Sequence, residues 1–568
     1  MTATETPPEA LDSADGNHET GAPGGANPES GDRLFRLVAS NDHKDVGRMW
    51  IGFSLLFFVG LVALGLALSI ERLDVEAQIF GSVTRTFQGW ILFRTAAIFL
   101  VVIPMFIGIA TVITPLQVGS SAIAFPRMAA AAFWTWLFAS VIHIISFVAD
   151  GGLGPAQTTS VPSTLLTMVS LGFIIVALLG ASIAIATTIV ALRPTGMGLI
   201  EVPAFSWSML VATSIWLLSL PVLVASLIFA YVDLQGRPFV ALGDPDLLWA
   251  RVEWAWSQPQ VFAYAIPVLG ILADIIPVKT QSRQAGRPVL LGMIGAFGAL
   301  SFGAWAQSFY SKGADPLFVD GNLIYDELLY ILFGIVIFLP AFGAFSGAMD
   351  QIRRGKLPRK PEGSFYASIF GALLLLGAVV IGEVRVLSGL LDLIGFNPSF
   401  SALESDGVLL ASSGAILAMV VAAAMTSAAA ALVFWAPKIF GGYAIETLAL
   451  LAGLAALAGG ILVGVADLIS ALDGQPDDPR AIMSIEGLTA TTNLIAVIGA
   501  GLLAAAALGI ILSVIPASRS KELLPDDPWD GHTLEWATSS PPPIGNFAEP
   551  VGRVRSAEPL LDELEEAR

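Results

Sequence analysis

The chain has no cysteine in 568 residues, which excludes disulfides, thiolate catalysis and iron–sulfur clusters. Charge is scarce as well. Asp, Glu, Lys and Arg make up 13% of the residues against 55% hydrophobic, and mean hydropathy is +0.76. Soluble domains average about 45–50% apolar and about 25% charged, so this composition excludes an ordinary soluble domain. Histidine is nearly absent. Of four in all, His18, His43 and His532 lie outside the apolar stretches and only His143 lies within one. The first apolar run begins near Trp50 after a polar leader, so no cleavable signal is expected and the first span acts as its own insertion signal.

What the chain does have is long apolar runs. Twelve reach the ~20 residues needed to cross a bilayer, near 49–70, 91–114, 128–149, 162–192, 203–232, 248–277, 286–310, 323–349, 364–393, 407–436, 443–472 and 486–516. Their length and lack of alternation predict helices, which satisfy their own backbone in lipid. Arg127, Arg193, Lys279, Arg283 and the Arg353–Lys360 cluster all fall in loops on one side, which the positive-inside rule places in the cytoplasm. An even number of spans then puts both termini in the cytoplasm of a multi-pass plasma-membrane protein. Three regions are expected: a disordered N-terminal tail over 1–40, a membrane domain over 41–517, and an acidic, Pro-rich solvated tail over 518–568. The net charge of −18 sits largely in those tails and argues against nucleic acid as a partner.

Several segments carry a family likeness. Asn41-Asp42-His43-Lys44-Asp45-Val46-Gly47 precedes the first span, and Pro115-Leu116-Gln117-Val118-Gly119 with Phe125-Pro126-Arg127 follows the second. Trp254-Ala255-Trp256-Ser257-Gln258-Pro259-Gln260-Val261-Phe262 lies in the sixth, and Thr533-Leu534-Glu535-Trp536, Pro541-Pro542-Pro543 and Asn546-Phe547 lie in the tail. In this order they resemble heme–copper oxidase subunit I over roughly residues 40–547. The resemblance implies an all-α membrane protein, a twelve-transmembrane-helix bundle of the heme–copper oxidase subunit I type.

The same resemblance implies a site whose chemistry has been removed. Where the family has a copper-ligating His, a proton-carrying Glu and a redox-active Tyr, this chain has Gln258, Gln260 and Phe262. The other copper positions fall on Gln307 and Ser308, and the heme-ligand positions on Phe93, Ser412 and Gly414. The family needs six histidines; one intramembrane His143 cannot supply them. The proton-channel positions fall on Ala122, Ala129, Ala130 and Gly343 or Ala344. No heme or copper is therefore expected, and Phe93, Trp256 and Phe262 suit the filling of a vacated cofactor volume.

Charged groups in hydrocarbon cost several kcal/mol and mark either function or a paired structural role. Glu383, Arg385, Asp274, Arg94 and His143 form the candidate polar intramembrane site, a cluster for a partner subunit, an ion or a small polar ligand. Cross-helix pairing, or a hydrogen-bonded core histidine for His143, is the structural alternative. Glu383 and Arg385 are two apart and cannot face each other on one helix. Three functions follow. The preferred one is a non-redox, degenerate paralogue serving as a scaffold or accessory subunit of a respiratory-type complex, with oxidase subunit II- or III-like chains and lipid as partners. The second is a cytochrome c oxidase-type oxidoreductase holding heme and copper through atypical ligands. The third is a transporter or channel using the intramembrane Glu, Arg and Asp.

Overall fold

A computed structural model describes residues 40, 42–73, 79–153, 160–235, 248–249, 252–256, 259–302, 332–393, 406–473, 475, 487–520 and 524–566. Among them there is no strand. Ten helices are long and apolar enough to cross a membrane: α1 His43–Glu71, α2 Val83–Gln117, α3 Pro126–Val148, α4 Val161–Ala191, α5 Ala204–Leu234, α8 Leu332–Arg354, α9 Gly363–Leu393, α10 Asp406–Phe434, α11 Glu446–Leu472 and α12 Gly487–Arg519. Two shorter apolar helices, α6 Ile266–Lys279 and α7 Arg287–Ser301, occupy the sixth and seventh positions. The chain is an all-α membrane protein.

The sixth span departs from the single helix expected over 248–277. Its described part consists of tight 3₁₀ turns at Glu253–Trp256 and Gln260–Tyr264, with α6 starting only at Ile266. Pro259 and Pro267 explain the break, since each lacks an N–H and its ring crowds the preceding turn. Pro267 is tolerated in the first turn of α6, where a donor has no partner anyway.

Helices α2 and α10 lie at the centre. Every residue from Arg94 to Val118 and from Met419 to Ile439 is buried, whereas α3, α4, α5 and α12 each keep an exposed apolar face. Small residues allow close approach between neighbours. A Cβ on Gly108 would stand 2.8 Å from Trp50 Cβ and 2.9 Å from the Ile51 nitrogen, which brings α2 hard against α1. Gly459 of α11 and Gly499 of α12 pack likewise, with a Cβ on either falling within 3 Å of the other's carbonyl oxygen (2.7 and 2.9 Å).

Residues 524–566 correct the expectation of a solvated tail. They form a strap across one end of the bundle, closed by the short helix α13 Pro559–Glu566. Asn546 donates from Nδ2 to the Ser120 carbonyl at 2.7 Å and accepts from Lys44 Nζ at 3.3 Å. The Val554 N–H bonds the Thr195 carbonyl at 3.0 Å, and Arg283 pairs with Asp562 and Glu565. The strap thus ties the entry of α1 to the connections after α2, α4 and α6, all at the same end. The expected tail over 1–40 lies outside the described residues, Ser40 apart.

Candidate functional site

Midway along α2 lies a wide π-turn, Ala97–Val102. Such a turn breaks the regular helical ladder and recurs at functional positions. Two indoles supply hydrogen bonds here. Trp136 of α3 donates Nε1–H to the Phe99 carbonyl at 2.9 Å, and Trp256 of the opening 3₁₀ turn donates to the Arg94 carbonyl at 2.8 Å.

Arg94 points into the bundle and is 1% exposed. Its Nη1 and Nη2 both donate to Ser413 Oγ of α10 at 3.3 Å, and its guanidinium lies 4.0 Å from the centre of the Trp90 ring. Trp90 meets Trp249 edge-on at 5.3 Å, and Trp249 meets Trp256 at 5.1 Å, so three indoles line this corner. A buried guanidinium needs such partners, because desolvation otherwise costs several kcal/mol. Of the neighbours Phe93 and Arg94, it is therefore Arg94 that reaches α10. Phe93 turns to α1, where its Cε2 stands 2.8 Å from the place of a Cβ on Gly65. On α10, Ser413 makes the contact. Gly414 is half-buried and the Ser412 side chain lies outside the described set.

In the sixth segment, Gln260 is fully buried and donates Nε2–H to Ser219 Oγ of α5 at 3.1 Å; its Oε1 has no hydrogen-bond partner. Phe262 is also fully buried and packs on Phe297 of α7 at 6.1 Å. Two carbonyls of these turns are met from the side, Ala263 by Trp216 Nε1 at 3.0 Å and Ala255 by the Tyr264 hydroxyl at 2.9 Å. Gln258, Gln307 and Ser308 lie outside the described residues.

The five polar residues expected to form one site are divided. His143 is fully buried near Arg94, with Nδ1 3.1 Å from Ser170 Oγ and Nε2 3.2 Å from Thr95 Oγ1. Both ring nitrogens are thus engaged by hydroxyls, the arrangement of a core histidine. Asp274 belongs to the other end. It accepts from Gln117 Nε2, and Gln117 follows Thr95 by 22 residues along α2, about 33 Å at the helical rise. The separation follows from the length of one continuous span. Glu383 Oε1 is buried without a hydrogen-bond partner, and the Arg385 side chain is outside the described set.

The strap end gathers groups not singled out as candidates. Lys279 Nζ lies 2.6 Å from Glu362 Oε2 and 3.6 Å from the centre of the Trp529 ring. Lys438 donates to the carbonyls of Asp526 (2.9 Å), Thr538 (2.5 Å) and Ser539 (3.3 Å), all in the strap. Burial pulls the Lys438 amine down to about 8, against the opposing pull of Glu535, Asp526 and Asp527. Glu535, 1% exposed, enters beside Gln117. Its place in Thr533-Leu534-Glu535-Trp536 was a signal, since tryptophan and leucine flanking one acid are out of keeping with a solvated tail. Among the described residues no three His, Cys, Asp or Glu side chains converge.

The chain matches the family described as Cytochrome C and Quinol oxidase polypeptide I over residues 45–384. It is 27% identical to cytochrome c oxidase subunit 1 of Bacillus subtilis (strain 168), over 93% of this chain and 83% of that protein. It is 28% identical to a putative cytochrome c oxidase subunit 1-beta of Streptomyces coelicolor, over 94% of this chain and 91% of that one. A probable cytochrome c oxidase subunit 1-beta of Nocardia farcinica is 27% identical, over 94% and 88% respectively.

Proposed function

Because the chain belongs to the cytochrome c and quinol oxidase polypeptide I family, we propose that it is a non-redox paralogue of the oxidase subunit, a scaffold or accessory subunit of a respiratory-type membrane complex. The observation that carries this reading is the pairing of Arg94 with Ser413 between α2 and α10, the two helices to which the resemblance assigns heme ligands. A guanidinium offers hydrogen-bond donors only, with no lone pair for iron, and a neutral hydroxyl is a poor substitute for imidazole. His143 has both nitrogens on hydroxyls, and Gln260 presents an amide where a proton carrier would be required. Among the described residues, this donor set is a poor match for heme or copper. Its partners under this reading are oxidase subunit II- or III-like chains and lipid, in the plasma membrane with both termini in the cytoplasm.

The test is an optical spectrum with iron and copper content on the purified protein, isolated with whatever subunits accompany it. The expected result is no stoichiometric Soret band on this chain. One heme per chain, retained through purification, would overturn the reading. It would favour the second one, a terminal oxidase subunit with atypical ligation, whose support is the names of the relatives.

A further inference from the structure

The strap end holds two buried carboxyl groups joined through one amide. Gln117, the last residue of α2, donates from Nε2 to Asp274 Oδ2 at 2.9 Å and to Glu535 Oε1 at 3.1 Å. Its own Oε1 accepts from Ser206 Oγ at 2.6 Å, which fixes the orientation of the amide. The two acids are served unequally. Asp274 also receives the Ala204 N–H at 2.9 Å and the Phe205 N–H at 3.0 Å from the first turn of α5, three donors in all, as suits a carboxylate at a helix start. Two well-formed hydrogen bonds reach Glu535, from Gln117 and from Trp435 Nε1 (3.3 Å), both on the same oxygen, and the Thr533 hydroxyl stands close to the carboxyl. Its Oε2 is buried and has no hydrogen-bond partner.

That asymmetry distinguishes the two ionisation states of Glu535. A carboxylate spreads its charge over both oxygens, so a bare, buried Oε2 leaves half of that charge without hydration or a donor. In the carboxylic acid Gln117 and Trp435 satisfy the carbonyl oxygen, and what is left at Oε2 is a neutral O–H, which costs less to bury than half a negative charge. We propose that Glu535 is a proton-binding site: the docked strap holds this carboxyl as the neutral acid, and loss of the O–H proton to bulk water loosens residues 524–547 from the bundle end.

Of the charged groups around it, one acts in the same sense and the other is already committed, while the Thr533 hydroxyl and the Gln117 amide favour the anion. Asp274, from α6, is the nearest anion and opposes a second negative charge. Lys438, from the one-turn helix Ala436–Ile439, is the nearby cation, and its Nζ is bonded to strap carbonyls. Asp526 and Asp527 of the strap lie toward Lys438 and share its charge. Gln117 and Trp435 are neutral. Burial first, and Asp274 second, push the Glu535 carboxyl up to about 7. Proton loss therefore falls at neutral pH, where a solvated glutamate is already ionised. The inference concerns this chain's own strap and stands whether or not the chain proves to be redox-inactive.

Hydrogen exchange of residues 524–547 tests it, on the full chain in lipid nanodiscs and corrected for intrinsic exchange. Wild type should lose about tenfold or more in protection between about pH 5 and about pH 7.5, whereas Glu535→Gln, which keeps the shape without the proton, should stay flat. A wild-type strap insensitive to pH, or an E535Q strap that follows wild type, would overturn the proposal. If E535Q does not fold, isotope-edited infrared spectra of glutamate-labelled wild type and of E535D decide. A neutral-carboxyl band titrating near 7 must leave the glutamate-labelled set in E535D; a band that stays unchanged rejects Glu535 as the site.

Discussion

Trp256 and Arg94 meet through a single hydrogen bond, the indole N–H of one to the backbone carbonyl of the other at 2.8 Å, both fully enclosed. The bond ties the broken sixth segment to α2 just before its π-turn. Trp256→Phe keeps an aromatic ring against Phe99, a contact of 5.8 Å in the native chain, but removes the donor. The Arg94 carbonyl is then left short of a partner in a buried site, at a cost of about 1–3 kcal/mol. Thermal unfolding in detergent should register that loss, with the helical content of the native baseline unchanged.

His143 separates a structural role from a ligand role. Its two hydroxyl partners have further bonds, Ser170 Oγ to the Thr167 carbonyl at 2.9 Å and Thr95 Oγ1 to the Leu92 carbonyl at 3.1 Å. His143→Leu therefore leaves neither hydroxyl orphaned. The expected loss is about 1–2 kcal/mol, the scale of one or two net hydrogen bonds, with no change in the metal content of the purified protein. A fall in bound iron or copper on this single substitution would make His143 a ligand after all.

Most of the fold was legible because the bilayer fixes how long an apolar run must be, and hydropathy reads length directly. It does not read where a run breaks. The turns around Pro259 are as apolar as a helix, so the sixth span looked continuous. Nor does hydropathy read which of two neighbours on α2 meets α10: Phe93 and Arg94 point about 100° apart, and it is Arg94 whose side chain bonds Ser413. The strap escaped notice because its composition is that of a solvated tail. Many of its anchors, such as Lys438 to three carbonyls and Asn546 to Ser120, use backbone oxygens that carry no sequence signature.

Lys279 and Glu362 are asymmetric partners: the lysine side chain is 4% exposed and the glutamate 31%. Their 2.6 Å separation fulfils the distance of an ion pair, although the angle is not that of a good hydrogen bond. Lys279→Met removes the cation and leaves Glu362 Oε2, itself buried, against apolar surface. Breaking a buried pair from one side costs about 3–5 kcal/mol, whereas neutralising both partners is far milder. The double variant K279M/E362Q should therefore recover much of the stability lost in K279M. Additive losses in the double-mutant cycle would show that the pair contributes nothing as a pair.

Lys438 gives the strap a second pH limb of opposite sign to that of Glu535. The Glu535 carboxyl is raised from 4.5 to about 7 by burial, so its contribution is fully present below 4.5 and is lost as pH rises to about 7. The Lys438 amine is lowered from 10.5 to about 8, again chiefly by burial, so the folded state binds fewer protons than the unfolded one between those values. Its contribution is present above 10.5 and is lost as pH falls through about 8. The two windows do not overlap, and docking of the strap should be weakest between about 7 and about 8. Hydrogen exchange across residues 524–547 should trace that minimum, with protection rising again on the alkaline side. Lys438→Gln should lower protection throughout, because Nζ serves three strap carbonyls, and should abolish the alkaline rise while leaving the acid limb in place. Retention of the alkaline rise in K438Q would assign it to another group.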